Sequence, residues 1–228
     1  MYIGRFAPSP SGLLHFGSLV AALGSWLDAR AAGGKWLLRI EDLDLPRSRA
    51  EFSAAILRQL EALGLEWDGP VVYQSARRAR YREALDSLER SGHAYWCACS
   101  RKEIEDSATL GGAPTANLVY PGTCRNGMRP GTTPRAVRVR THDEQIRFTD
   151  RMQGEVAQIV EREVGDFVVL RADGIFAYQL AVVVDDAEHT ASPTSFAARI
   201  CSSRPRARFS FSACSVSRLH ATCTCRSP

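Results

Sequence analysis

Hydrophobic and polar positions follow two periods in the first ninety residues. Short apolar runs at 1–6 (MYIGRF) and 35–40 (KWLLRI) predict buried strands. Each run is followed by apolar residues at helical spacing, namely Leu19, Val20, Leu23, Trp26 and Leu27, and then Phe52, Ile56, Leu60 and Leu63. The order strand, helix, strand, helix predicts an α/β domain built on a parallel sheet.

Boundary signals define the later helices. Ser48 and Glu51 form a capping box, and Gly64 stands where the second helix is expected to end. A third helix is predicted over 77–90, with inward-facing Tyr81, Leu85 and Leu88. The helix starts with a basic cluster of Arg77, Arg78, Arg80 and Arg82. This cluster is either a contact for an RNA backbone or an ordinary solvated helix face.

The pattern changes after residue 93. Residues 94–134 are rich in Cys, Gly and Pro and predict an insertion in a crossover connection. Residues 136–140 (AVRVR) alternate like a half-exposed strand, and 146–160 and 166–171 predict further strands in antiparallel pairing. The run 179–186 (QLAVVVDD) is apolar without alternation, which predicts a central parallel strand buried on both faces.

Length and cysteine content narrow the class of protein. The chain has 228 residues, enough for one sizeable domain with an insertion. No apolar run is long enough for a bilayer, and no signal-peptide pattern precedes Arg5, so we expect a cytoplasmic protein without a membrane partner. Seven cysteines in such a chain predict thiols or metal ligands rather than disulfides.

The segment 189–228 differs in composition from the rest. It holds six arginines, nine serines and four of the seven cysteines, but no Asp, Glu, Lys or Gly. Without it the net charge changes from +4 to −2, so the body of the chain is not a general binder of polyanions. We hypothesise that this tail is a frame-shifted or otherwise aberrant reading. The alternative is a disordered basic tail that binds RNA.

The segment 5–19 (RFAPSPSGLLHFGSL) carries the clearest candidate chemistry. Pro8 and Pro10 fix their φ angles, and Gly12 permits a close approach of the backbone to a ligand. A helix that starts after Gly17 directs its free N–H groups and positive dipole end to the same place, which suits phosphates. His15 can donate to a phosphate oxygen, although a histidine before a helix is by itself more often an ordinary cap.

This segment resembles the first nucleotide-binding motif of the class I aminoacyl-tRNA synthetases in its glutamyl form. Ser18 stands at the last position of the usual His-x-Gly-His, a variant similar to that of the short glutamyl-queuosine tRNA(Asp) synthetases. The segment 173–187 (DGIFAYQLAVVVDDA) is a second match. The resemblance implies a Rossmann-like catalytic domain in two parts, 1–93 and 135–188, with a zinc-binding insertion, 94–134, between them. The aberrant tail, 189–228, follows the second part.

The resemblance also implies a reaction and roles for particular residues. Glutamate and ATP, which brings Mg²⁺, would give glutamyl-adenylate, and a monomeric enzyme would transfer the glutamyl group to the queuosine base of tRNA(Asp). Catalytic roles fall on His15 and Ser18. Nucleotide binding falls on Pro8, Gly12, His15 and Gly17. Glutamate binding falls on Arg5, Ser9, Glu41 and Tyr178.

Elementary chemistry agrees with the roles of two of these residues. A guanidinium binds a carboxylate through two parallel hydrogen bonds and a carboxylate binds an ammonium group, so Arg5 and Glu41 suit the two ends of glutamate. Outside this context Arg5 is a solvated strand end, Tyr178 is a packed core aromatic, and the run 41–44 is a solvated loop or a Mg²⁺ site. Two other functions stay open: a glutamyl-tRNA synthetase fragment, and a non-catalytic zinc-stabilised module that binds nucleotide or RNA.

The family pattern fails after residue 188. Phe196 stands where the family has an arginine that contacts the glutamate. No lysine-rich loop follows in this sequence, because its two lysines, Lys35 and Lys102, both lie before this point. Loss of one preorganised charge commonly reduces a rate by about a hundredfold or more. We therefore expect the polypeptide as written to be severely impaired in glutamate activation.

Cysteines of the insertion form a candidate metal site. Cys97, Cys99 and Cys124 offer three thiolates to a tetrahedral zinc ion. A tyrosine ligand is unusual because a phenol has a pKa of about 10. The resemblance nevertheless implies Tyr120 as the fourth ligand, and His93 or a nearby carboxylate is the alternative. Four protein ligands leave no open position, so we expect one structural zinc ion.

Overall fold

The structure is a computed structural model that describes residues 2–110, 119–150 and 154–189. The hypothesis of an aberrant tail therefore concerns residues that lie, apart from His189, outside the described part of the chain. The elements in chain order are β1 (Ile3–Phe6), α1 (Phe16–Ala31), β2 (Lys35–Ile40), α2 (Ala50–Ala62), β3 (Val72–Tyr73), a short 3₁₀ helix (Gln74–Arg77), α3 (Arg78–Arg90), β4 (Ala94–Cys97), α4 (Arg101–Leu110), β5 (Ala136–Val139), β6 (Gln145–Asp150), β7 (Gly154–Ile159), α5 (Val160–Glu163), β8 (Val168–Leu170) and α6 (Tyr178–His189). The described residues form two compact units, 2–80 with 183–189, and 81–182.

A parallel sheet of order β1-β2-β3 organises the first unit. Arg5 of β1 lies opposite Leu37 of β2, and Arg39 of β2 lies opposite Val72 of β3. The core of the unit is built on the central strand, whose buried side chains include Trp36, Leu38 and Ile40. The predicted α/β class with a parallel sheet is confirmed.

Helix α1 packs on this sheet through small residues. Its buried side chains are Ala21, Ala22, Ser25 and Ala29. A Cβ added at Gly4 would lie 3.1 Å from the Cβ of Ala29, so the close approach of α1 to β1 requires small residues on both sides. The predicted helix is confirmed, but large residues of its apolar pattern are exposed: Val20, Leu23 and Leu27. Periodicity identified the helix and did not identify the face that packs.

Helix α2 begins without the predicted capping box. Its N-cap is Arg49, whose side chain makes no capping hydrogen bond, and Glu51 pairs with Arg49 at 3.3 Å. Ser48 lies one residue before the cap position and donates its backbone N–H to the carbonyl of Asp44 at 2.9 Å. The prediction at the other end is confirmed, because Gly64 follows the helix in the left-handed region with φ of 69°.

The segment 179–186 is helical, so the predicted central strand is wrong. Helix α6 starts with hydrogen bonds from the N–H groups of Leu180 and Ala181 to the carbonyl of Ala177, at 3.1 and 3.2 Å. Every residue from 180 to 186 is buried, so no side of this helix faces solvent along that stretch. A short apolar run does not distinguish a buried helix from a buried strand by its period.

An antiparallel sheet of order β4-β5-β8 and a β6-β7 hairpin form the second unit, which confirms the predicted antiparallel strands. The inward residues predicted for α3, Tyr81, Leu85 and Leu88, are buried. The expectation of a half-exposed β5 is wrong, because Arg138 is buried together with its two valine neighbours. Within the described residues, no helix combines the length and apolarity that a bilayer crossing needs.

Candidate functional site

Two loops leave the same edge of the parallel sheet in the first unit. They follow β1 and β2, which run side by side in the same direction, so both loops start at the carboxyl ends of the strands. The N–H of Glu41 donates to the carbonyl of Pro8 at 3.0 Å, and the N–H of Arg49 donates to that of Pro10 at 3.1 Å. Both prolines are buried and Ser9 between them is exposed. The two loops thus fix the turn that leads into α1.

His15 is the N-cap of α1. Its Nδ1 accepts a hydrogen bond from the N–H of Ser18 at 3.2 Å, and its Nε2 lies 3.1 Å from the Ser18 hydroxyl. Because Nδ1 accepts, a neutral ring carries its proton on Nε2 and donates it to that hydroxyl. The ordinary capping role considered for this histidine is therefore present in the structure.

The N-terminus of α1 is open to an anion. The helix has 16 residues, Gly17 is its second residue, and no acidic side chain lies in its first turn. His15 and Phe16 are exposed. A Cβ added at Gly12 would meet no described atom within 4 Å, so space remains beside the turn. Free backbone N–H groups and about half a positive charge at this end favour a phosphate.

Arg5 is buried in β1 and already holds a carboxylate. Its Nε and Nη2 donate to the two oxygens of Asp186 at 2.7 and 2.8 Å. Arg39 donates to the same carboxylate from Nη1 at 2.8 Å. Burial alone would raise the pKa of Asp186, but Arg5 and Arg39 hold it below its usual range. Asp186 therefore bridges the guanidinium groups of two neighbouring strands.

Glu41 directly follows β2 and is buried near these arginines. Arg39 donates from Nη2 to its Oε1 at 3.3 Å. Burial raises the pKa of Glu41, and the positive charges of Arg39 and Arg5 oppose that rise. The structure therefore brings the charge of Arg5 within reach of Glu41. A cleft of about 270 Å³ adjoins Arg5 and Arg39, but Glu41 does not line it.

The other acidic residues of this loop have separate partners. Asp42 accepts hydrogen bonds from the N–H and the hydroxyl of Ser75, at 2.8 and 2.6 Å, at the start of the 3₁₀ helix. Asp44 lies 4.0 Å from Arg47. Among the described residues, the acidic run 41–44 does not gather into a group able to hold a metal ion.

Sequence reasoning missed a buried ion network beside Asp186. Asp185 accepts hydrogen bonds from Gln74 at 2.8 Å and from Nε of Arg77 at 2.7 Å. Arg77 also pairs with Glu188, so it does not belong to a solvated basic face. Two consecutive carboxylates at the end of an apolar run were the available signal, because buried carboxylates need cationic partners.

The predicted site residues are distributed over both units. Those of the first unit lie on β1, in the loops after β1 and β2, or at the start of α1: Arg5, Pro8, Ser9, Gly12, His15, Gly17, Ser18 and Glu41. Tyr178 belongs to the second unit, where it is the first residue of α6 and is half-buried. The predicted metal ligands also lie in the second unit.

Three thiols converge in the second unit. Cys97 ends β4, Cys99 follows it, and Cys124 lies in a turn closed by a 2.8 Å hydrogen bond from the N–H of Arg125 to the carbonyl of Gly122. The three sulfur atoms lie within 4.8 Å of one another. Cys99 Sγ and Cys124 Sγ are 3.6 Å apart, much farther than the roughly 2.05 Å of a disulfide bond. All three thiols are free.

Tyr120 adds an oxygen to this group. Its hydroxyl oxygen lies 3.4 Å from Cys97 Sγ and 3.6 Å from Cys99 Sγ. In a tetrahedral zinc site with bonds of about 2.3 Å to sulfur and about 2.0 Å to oxygen, neighbouring ligand atoms lie about 3.5–3.8 Å apart. The observed separations agree with these values, so the donor set fits a tetrahedral metal ion. His93, the alternative ligand, instead contacts the carbonyl of Ser91 at 3.0 Å and is not part of the group.

The pKa values of Tyr120, Cys99 and Cys124 are shifted in different directions when no metal is bound. Burial raises the pKa of Tyr120, and its hydrogen bond with Cys97 raises it further. Burial also raises the pKa of Cys99 to about 11. Burial opposes ionisation of Cys124 as well, but hydrogen bonds from the N–H of Ala98 and from Tyr120 lower its pKa. A cation that binds here therefore has to displace the phenol proton.

Known proteins resemble this chain over most of its length. The family described as tRNA synthetases class I (E and Q), catalytic domain, matches residues 3–194. A glutamyl-Q tRNA(Asp) synthetase of Dechloromonas aromatica is 58% identical over 205 residues, which are 90% of this chain and 68% of that protein. One of Thiobacillus denitrificans is 58% identical over 185 residues, 81% of this chain and 60% of that protein.

A solved structure shares the fold. It is that of a glutamate tRNA ligase from Elizabethkingia meningosepticum in complex with its amino acid, with a TM-score of 0.69 and 27% identity over 82% of this chain and 41% of that chain. The chain spans about two thirds or less of the length of the relatives it matches. With its sheet, its α1 turn and a family match over residues 3–194, the chain belongs to the class I tRNA synthetases of the E and Q group and carries their catalytic domain.

Proposed function

We propose that this chain activates glutamate with ATP and transfers the glutamyl group to the queuosine base of tRNA(Asp). The observation that carries the proposal is 58% identity over 205 residues to a protein named glutamyl-Q tRNA(Asp) synthetase. The chain covers 68% of that relative, so the whole reaction is proposed for a chain that spans part of its relatives. The arrangement of the first unit supports the same chemistry.

ATP binding is assigned to the turn and the start of α1. Activation needs the α-phosphate in line with the attacking carboxylate and donors that neutralise the growing negative charge. Pro8 and Gly12 shape the turn, and the helix end near Gly17 supplies backbone donors. Nδ1 of His15 holds the helix cap, so the Nε2–H can donate to a phosphate oxygen without loss of the cap when the Ser18 side chain rotates away from it.

Glutamate binding is assigned to residues of the first unit. Arg5 binds the side-chain carboxylate of the substrate and Glu41 binds its ammonium group. Because Arg5 already contacts both oxygens of Asp186, the substrate has to share or replace that contact, and Arg39 keeps Asp186 paired when it does. Ser9, in the loop after β1, completes the proposed set in this unit.

The reaction needs no nucleophile from the protein. The substrate carboxylate attacks the α-phosphorus, the bond to pyrophosphate breaks, and glutamyl-adenylate forms. A nucleophilic group of the queuosine base then attacks the glutamyl carbonyl carbon and gives up its proton, and the bond from that carbon to AMP breaks. His15 and the end of α1 stabilise charge on the phosphates, while Arg5 and Glu41 orient the amino acid.

We also propose that the 228-residue polypeptide is slow in the first step. Its lysines are Lys35 and Lys102, and neither lies after the segment 173–187 where the family places its second ATP-binding loop. Glutamate-dependent ATP–pyrophosphate exchange measures this directly. A rate typical of the family would contradict the proposal of impairment and would leave the proposed substrates untouched.

A zinc ion is assigned to Cys97, Cys99, Tyr120 and Cys124. Support comes from the separations between their donor atoms, which agree with a closed tetrahedral shell. Such an ion would supply structural cross-linking between the end of β4 and the turn at 120–124. Four protein ligands leave no position for a substrate, so its role would be structural.

Transfer of labelled glutamate tests the proposed function. Purified chain is incubated with ATP, labelled glutamate and either tRNA(Asp) with queuosine or the same tRNA lacking it. Label that depends on queuosine and stays after removal of the tRNA 3′ end supports the proposal. Label on the 3′ end of a glutamate tRNA would indicate a glutamyl-tRNA synthetase fragment. Binding of ATP without any exchange or transfer would indicate a non-catalytic nucleotide-binding module.

A further inference from the structure

We propose that Arg138 is a positioning residue for the metal site, one that orients Cys97 and Tyr120 for a bound cation. This inference rests on the proposed zinc ligands and goes beyond them, because Arg138 is not itself a ligand. Arg138 lies on β5, outside the segment that carries the four ligands. Its guanidinium contacts two of the four donor residues.

Strand pairing places Arg138 next to Cys97. β4 and β5 are antiparallel, with Tyr95 opposite Arg138 and Cys97 opposite Ala136. Residues two apart on a strand share a face, so Arg138 is the diagonal neighbour of Cys97. A diagonal neighbour is within reach of a long side chain, and Nε of Arg138 donates to Cys97 Sγ at 3.4 Å.

The same guanidinium covers the ring of Tyr120. Its Cζ lies 3.8 Å from the ring centroid, a stacked cation–π contact. Nη1 donates to the carbonyl of Asp166 at 2.7 Å, which fixes the guanidinium from the far side. Arg138 is buried, at 8% exposure, so these contacts form in a region of low dielectric. One planar group therefore sets the position of a thiol and of a phenol ring together.

Asp166 is itself held in place, which makes the support rigid. Its Oδ1 accepts from the N–H and the hydroxyl of Thr141, both at 2.8 Å, and its Oδ2 accepts from the hydroxyl of Tyr95 at 2.6 Å. Asp166, whose backbone carbonyl accepts the hydrogen bond from Arg138, is thus itself held by Thr141 and by Tyr95 of β4. Partners of this kind around metal ligands commonly change metal affinity by about 10–100-fold when they are removed.

Charge gives a second reason for an arginine at this position. Three thiolates and a phenolate around a divalent cation leave a net charge of about −2 in a buried place, which is unfavourable without a counter-charge. The guanidinium provides one positive charge in contact with two of the four ligands. A lysine would keep the charge but lacks the planar fork that donates to sulfur and stacks on a ring together.

Metal affinity of three variants tests the proposal. Arg138→Met removes the guanidinium and keeps an apolar stem, and Arg138→Lys keeps only the charge. Arg162→Met is the control, because Arg162 is an exposed arginine of the second unit that pairs with Asp143 at 2.6 Å. Zinc affinity is measured on the full chain by competition with a chromophoric chelator, and Co²⁺ absorption reports the geometry of the site.

We expect Arg138→Met to weaken zinc binding by about 10–100-fold and to change the thiolate-to-cobalt absorption, with Arg138→Lys between it and the wild type. Arg162→Met should stay within about threefold of the wild type, because it breaks only a surface ion pair. Equal affinities and spectra for Arg138→Met and Arg162→Met would overturn the role of Arg138 and leave the zinc site standing. A wild-type chain that binds neither zinc nor cobalt would overturn both. If Arg138→Met does not fold, Arg138→Lys decides, and wild-type affinity and spectrum in it contradict the proposal.

Discussion

The two units complete their candidate sites in opposite ways. In the first unit, Asp186 lies between Arg5 and Arg39, and Arg39 also contacts Glu41, so opposite charges are paired before any ligand binds. In the second unit, three thiols and the Tyr120 hydroxyl lie against one another in the arrangement that we assign to a zinc ion. Folding by itself pairs the charges of the first site, whereas the second site, in our proposal, gains its cross-link only when a metal ion binds.

This difference determines what each unit loses when one component is removed. In the first unit a missing partner leaves a buried charge unpaired, which is costly because the charge cannot return to water. In the second unit, removal of the proposed metal would leave thiols and a phenol that can be neutral, and the cross-link between β4 and the turn at 120–124 would be lost. The first effect is local to an ion pair, and the second affects a whole segment.

Metal removal should give the largest effect and should separate the two units. A strong chelator is expected to increase amide hydrogen exchange at residues 94–99 and 119–128 and to leave 35–40 unchanged. Apparent binding energies of structural zinc reach about 10 kcal/mol or more, so the loss of protection should be large. Mass spectrometry of peptides measures it, with the same chelator saturated with zinc as the control. Equal loss of protection in both units would show that the metal does not act on the second unit alone.

Asp186→Asn should give the largest effect in the first unit. The change leaves Arg5 and Arg39 without the carboxylate that both contact, and breaking a buried pair commonly costs about 3–5 kcal/mol. Urea unfolding measures it. Asp143→Asn is the control, since Asp143 pairs with Arg162 on the surface at 2.6 Å and its loss should barely move the urea midpoint. A similar small shift for Asp186→Asn would mean that solvent reaches the network.

Arg5→Lys should weaken glutamate binding more than ATP binding. A lysine cannot form the two parallel hydrogen bonds of a guanidinium, so we expect about a 10–100-fold rise in the glutamate dissociation constant. Calorimetric titration with glutamate in the presence and absence of ATP measures it, and titration with ATP alone is the control. A proportional loss of ATP affinity would place Arg5 in the general stability of the first unit rather than in amino-acid binding.

Acid should weaken the first unit through its aspartates. The pKa of Asp186 is held below its usual range by Arg5 and Arg39 against the effect of burial, and the pKa of Asp68 is lowered mainly by the N–H of Trp36. Groups with lowered pKa stabilise the folded state above their ordinary pKa of about 4 and lose that contribution as the pH falls below it. The raised pKa of Glu41 acts in the opposite sense.

Urea unfolding at pH 7, 5 and 3.5 measures this dependence. Wild-type stability should fall most between the two lower values, and Asp186→Asn should show a smaller decline because one of the titrating groups is absent. An unchanged slope in that variant would assign the acid sensitivity to other carboxylates.

His15 variants should give the smallest change in stability and separate its two roles. Asparagine is a good N-cap, so His15→Asn should keep the stability of the chain, whereas His15→Ala should lose about 1 kcal/mol. Both variants lack the Nε2 donor, so both should bind ATP less tightly if the ring contacts a phosphate. Normal ATP affinity in His15→Asn would mean that the histidine acts only as a cap.

Much of the first unit follows from local sequence. The apolar runs of β1 and β2, the prolines before α1 and the glycine after α2 act over a few residues, and the structure has these elements where they were expected. The candidate residues Arg5, His15 and Glu41 could be named for the same reason, because their types and spacing carry the chemistry. The thiols of the second unit also come from residues close together in sequence.

Contacts between distant segments decided the rest. The run 180–186 is buried on all sides, and its period alone does not separate a helix from a strand, so only its packing made α6 helical. Asp186 meets Arg5 across 181 positions of sequence, and Arg138 meets Cys97 across 41. The sequence by itself determined most elements of the first unit and which side chains carry chemistry, because those depend on neighbouring residues. Tertiary structure decided which charges pair and which arginine supports the thiols, because burial makes such partners obligatory without saying where in the chain they lie.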